Sequence, residues 1–89
     1  MQLEVGQVVT SRAGRDVTKV YAVTGFRDGK VLVADGNRRT LALPKVKNPN
    51  HLAPTLTVLT KEQMQTDAAL KGALAAYTEH AASNKKEDG

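Results

Sequence analysis

"SRAGRDVTKVYAVTGF", Ser11–Phe26, decides how this chain is read. An apolar run "VGQVV" leads into it and the run "VYAV" comes out of it. Between them lie Gly14 and four charged residues, Arg12, Arg15, Asp16 and Lys19. β-branched residues on both sides and alternation in "KVYAVTG" mark two strands joined by a cationic turn. Gly14 lets the chain reverse where a Cβ would crowd it, because glycine takes positive φ at little cost.

Working outward, short apolar segments follow one another between turn signals. The pattern places strands at Val5–Arg12, Thr18–Thr24, Val31–Asp35, Arg39–Leu43 (alternation in "RTLAL") and Thr55–Leu59. Asp28-Gly29 has the chemistry of a tight hairpin turn, and Asp35-Gly36-Asn37 supplies the next, so Gly29 and Gly36 join Gly14 as turn glycines. A loop bounded by Pro44 and Pro54 precedes the last segment. Short strands with closely spaced turns argue for a small closed barrel, and their length favours an SH3-like one.

Composition then shifts. "TKEQMQTDAALKGALAAYTEHAAS" is rich in Ala and other helix formers. Thr60 and Gln63 fit a capping box, and Thr66-Asp67 offers a second start. Leu70, Leu74, Tyr77 and Ala81 fall on one helical face, a narrow stripe that docks on its own sheet or on a partner. The expected organisation is a β domain over 1–59, a helix over 60–82 and a disordered tail over 83–89.

The chain has 89 residues, net charge +4 and no cysteine. That length makes one domain, and a barrel of about 60 residues buries only about 60% of its unfolded surface, so packing from a helix matters. Without cysteine there is no disulfide framework and no thiolate metal site. The start lacks a signal-peptide pattern and no apolar run is long enough to span a membrane, so a cytoplasmic monomer is expected. Charge is unevenly spread: nine Lys and Arg stand against four acids over 1–57, but four against five over 58–89. A basic β domain suits a polyanion.

Catalysis finds little support. His51 and His80 have no companions for a metal set, and there are no paired carboxylates and no phosphate-cradling glycine loop, so no enzyme activity, cofactor or metal is expected. The aromatics are Tyr21, Phe26 and Tyr77, too few for a peptide groove or a methyl-lysine cage. Tyr21 and Phe26 read as core residues. Polyanion binding has three supports: the turn with Arg12, Arg15 and Lys19; Arg38 and Arg39 after a turn; and "PKVKNPNH", with Lys45, Lys47, Asn48, Asn50 and His51. Arginine suits bidentate phosphate contacts and asparagine suits base edges.

These residues resemble a known family. "VGQVVTSRAGRDVTKVYAVTGFRDGKVLVADG", Val5–Gly36, looks like a KOW motif, in which a strand, a basic loop with a fixed glycine and a second strand form part of an SH3-like barrel. With "KNPNHLAPT" the resemblance covers residues 2–58 and points to the bacterial KOW-domain RNA-binding proteins, which are similar to a KOW-bearing family of archaeal and eukaryotic large-subunit ribosomal proteins. Gly14 falls at the motif glycine and Lys19 at the usual basic residue opening the second strand. Thr18 departs from it, since relatives often carry a second glycine there. The resemblance implies a ribosome-associated protein that binds structured RNA, plausibly ribosomal RNA of the large subunit, with ribosomal proteins as further neighbours. A different class remains open: a docking module of the translation or transcription machinery, using Leu70, Leu74 and Tyr77 as its contact.

Overall fold

The computed structural model describes residues 3–12 and 19–88, with side chains to residue 80. Five strands are present: β1 (Gln7–Ser11), β2 (Val20–Arg27), β3 (Lys30–Ala34), β4 (Lys45–Lys47) and β5 (Leu52–Val58), followed by one helix, α1 (Asp67–Asp88). All pairings are antiparallel, in the order β4-β3-β2-β1-β5. Consecutive strands form a meander, and the fifth returns beside the first. The fold is therefore mainly β with a C-terminal helix.

The sheet is open rather than closed into the expected barrel. β4 pairs only with β3 and β5 only with β1, so no ladder joins the two edges. One edge does reach across to β1: Lys47 Nζ, on β4, donates to the buried Ser11 Oγ at 3.2 Å. A 3-10 turn, Pro49–His51, carries the chain from β4 to β5. With only three residues in β4, there is too little strand to build a closing ladder.

The fourth strand is not Arg39–Leu43, as alternation suggests, but "KVK" beyond Pro44. Residues 39–43 bend instead. The Leu41 N–H donates to Asp67 Oδ1 at 2.8 Å and the Leu43 N–H to Thr40 Oγ1 at 3.1 Å, so side chains, not a neighbouring strand, take these backbone donors. Leu43 is 76% exposed. β5 also begins earlier than Thr55 and runs through Pro54, which an edge strand tolerates. Where the β1–β5 register shifts, Thr55 Oγ1 donates to the Val8 carbonyl at 2.7 Å.

Period-two alternation sorts the central strands onto two buried faces. Val8, Ala22 and Ala34 form one cluster with Leu59, Leu70 and Leu74, and Val20, Leu41, Met64 and Tyr77 pack around it. Val9, Tyr21, Val23, Val31, Val33 and Leu52 form the other, with Leu3 against it. Helix α1 covers the first cluster, so the helix packs in cis, with Leu70 and Leu74 buried.

The helix starts later than residue 60. Thr60 and Gln63 do make both bonds of a capping box, with the Thr60 N–H donating to Gln63 Oε1 and the Gln63 N–H to Thr60 Oγ1. That box closes a turn over residues 61–64, which sets Met64 against the first cluster. The second start is the one used: Thr66 Oγ1 accepts from the Ala69 N–H at 3.1 Å. The helical backbone continues through 83–88, where composition suggested a tail.

Candidate nucleic-acid interface

The basic turn after β1 is anchored from both sides. The Ser11 N–H donates to the Lys19 carbonyl at 3.0 Å, and the Arg12 N–H to the His51 carbonyl at 2.7 Å. These two bonds bring the cationic turn and the 3-10 turn to one end of the sheet. Arg12, Lys19, Asn50 and His51 are all exposed there. Gly14 and Arg15 lie outside the described residues.

The 3-10 turn uses its own side chains for structure. Asn48 Oδ1 accepts from the Asn50 N–H at 3.0 Å, and the His51 N–H donates to the Asn48 carbonyl. This Asx-type cap commits the Asn48 oxygen to the turn, leaving Asn50 and His51 as the outward groups. Lys47 is half-buried and reaches across to Ser11, so it ties β4 to β1 as well as carrying charge. Lys45 is half-buried in the same strand, opposite Val33.

Arg38 and Arg39 project from the turn after β3, and both are exposed. Asp35 organises that turn. Its Oδ1 accepts from the N–H groups of Asn37 (2.8 Å) and Arg39 (2.9 Å), while its own N–H donates to the Arg39 carbonyl. The only acid of the turn is thereby directed onto backbone. Gly36 has φ +77 and lies against the helix start; a Cβ there would meet the Asp67 carbonyl oxygen and come within 2.8 Å of the Lys71 nitrogen. Asp67 holds Leu41 from the same side. The arginine turn is thus fastened to the N-terminus of α1.

These cations do not form one patch. Arg12 and Asn50 line a cleft of about 260 Å³ with Leu3, Pro49 and Leu52. Lys19 opens onto a shallow depression shared with Asn37 and Lys71 of α1. Arg39 lines a separate groove with Arg27, Leu43 and Val46, at the β4 edge.

Sequence reasoning missed Arg27 and Lys71, which line these depressions, and it misplaced Phe26. Phe26 is no core residue but 53% exposed. A β-bulge lies just before it: Val23 pairs with Val33, yet Gly25 pairs with Leu32, so Thr24 is an extra residue, and Phe26, paired with Val31, shares the face of the second cluster but sits at its rim beside the Asp28-Gly29 turn. The Gly inside an otherwise apolar strand pattern was the available signal. Gly29 ends that hairpin in the tight turn expected, with Asp28 at φ 50 and Gly29 at φ 78.

Leu70 and Leu74 are taken up by the sheet and cannot serve as a docking face. No protein-family model matches the chain, and no curated protein matches it significantly.

Proposed function

We propose that this protein is a KOW-type, SH3-like RNA-binding protein without enzymatic activity, associated with structured RNA of the large ribosomal subunit. One observation carries this reading: backbone bonds gather Arg12, Lys19, Asn50 and His51, all exposed, at one end of the sheet. The guanidinium, ammonium and amide groups of these residues are the donors that phosphates and base edges accept. The meander with its fifth strand beside the first supports the SH3-like reading even though the sheet is open. Arg38 and Arg39, from a turn whose acid is occupied by backbone, extend the basic surface. The protein-docking alternative has less support, because Leu70 and Leu74 of the face it uses are buried in cis and Tyr77 packs partly on the same cluster.

The test is binding of a ribosomal RNA fragment across a salt series. Neutralising three to five phosphates gives a log K against log salt slope of about −2 to −4. Replacing Arg38 and Arg39 together by Ala flattens that slope by about 2, one per lost phosphate contact. An unchanged slope and affinity would remove the pair from the interface. Sedimentation of lysate with and without ribonuclease then asks whether the protein travels with the large subunit; a protein that stays at the top of the gradient under all conditions is not stably ribosome-bound.

A further inference from the structure

We propose that the cleft between Phe26 and the 3-10 turn is a seat for one unstacked nucleobase of the bound RNA; the proposal rests on the RNA-binding reading above. The other apolar residues of the central part of β2, Tyr21, Ala22 and Val23, are buried, whereas Phe26, paired with Val31 at the rim of the second cluster, is 53% exposed. Its ring stands in a depression of about 200 Å³ lined by Leu3, Gly29, Lys30, Val31 and Pro49. The Arg12–Asn50 cleft of about 260 Å³ adjoins it, and Leu3 and Pro49 line both. Taken together they fall within the about 300–1,000 Å³ of small-ligand sites.

The chemistry of this double cleft is graded. At one end is an aromatic face, on a floor of Leu3, Val31 and Pro49. A Cβ built at Gly29, which lines the same depression, would meet nothing within 4 Å. At the other end, Arg12 and Asn50 present donors, and Asn50 also presents an acceptor. Lys30 lines the Phe26 depression and Arg12 the cleft that adjoins it. A base inserted between them stacks on Phe26 while its flanking phosphates meet the two cations. Every base has a π-face, so this site adds affinity for single-stranded or looped RNA without a strong sequence preference. A duplex, with its bases stacked internally, gains nothing from it.

The test uses the full chain and two fluorescein-labelled probes: an oligouridine, and the same backbone with abasic positions. Wild type binds the oligouridine more tightly than the abasic strand. Phe26→Ala weakens oligouridine binding about five- to a hundredfold, the range of one lost stacking contact. It leaves abasic binding and the salt slope unchanged, since no charge is removed. Phe26→Leu, which keeps apolar bulk, shows the same loss, whereas Phe26→Tyr retains affinity. Equal wild-type affinity for the two probes, or wild-type oligouridine binding by Phe26→Ala, overturns the base site while leaving the phosphate reading intact. Failure of wild type to bind either probe or ribosomal RNA overturns both.

Discussion

The two apolar clusters share one sheet but are closed in different ways. The first, around Val8, Ala22 and Ala34, is sealed by a whole helix whose Leu70 and Leu74 are almost fully buried. The second, around Val9, Tyr21, Val23 and Leu52, has Leu3 packed against it and no helix over it among the described residues. Its rim stays open, and Phe26 and Arg12 stand there. One face of the sheet therefore carries a dedicated cover, while the other combines a small core with the candidate binding cleft.

The largest test of that contrast removes the cover. A chain ending after Leu59 exposes Val8, Ala22 and Ala34 and frees the arginine turn from Asp67. With about 60 residues left, it loses its cooperative thermal transition. A sharp melt by circular dichroism would show instead that the second cluster suffices on its own. RNA affinity is expected to fall with folding, not to survive the truncation.

Next come single truncations on each side. Leu70→Ala and Leu52→Ala each cost about 2–5 kcal/mol in urea unfolding, as buried leucines do. They differ in amide exchange: only Leu70→Ala speeds exchange in α1. If Leu52→Ala does so equally, the two clusters behave as one unit. The smallest effect belongs to the joint between cover and turn. Asp67→Ala removes the acceptor for the Leu41 N–H and a negative charge at a helix start, costing about 1–2 kcal/mol. A shifted Leu41 amide resonance with little change elsewhere would confirm a local role.

How far the sequence could be read depended on what each segment packs against. β1, β2 and β3 were legible because their apolar residues meet buried surface, and the Asp28-Gly29 turn because its φ values demand those residues. The fourth strand was not: Leu41 and Leu43 alternate like strand residues, but Asp67, distant in sequence, takes the Leu41 N–H. The true β4, "KVK", has no apolar pattern to betray it. Phe26 was misread because it shares the face of the second cluster but stands at its rim beside the Asp28-Gly29 turn, where half of it stays exposed. For the candidate site, the cationic loops were visible as composition, but their division among separate depressions depends on the curl of the sheet. The duty of Asn48 as a cap could be suspected from its position before Pro49, though not distinguished from that of Asn50.

The contact of Gly36 with the start of α1 has a consequence for how the molecule is made. Translation delivers the chain from its N-terminus at about 5–20 residues per second, and Gly36 leaves the ribosome well before Asp67 and Leu70. During that interval Val8, Ala22 and Ala34 have no lid and the arginine turn has no anchor. The nascent sheet is thus an unfinished surface, apolar on one side and cationic at one end, beside ribosomal RNA. Its maturation is timed by the emergence of the helix, so residues late in the chain set the moment at which the arginine turn takes its final shape.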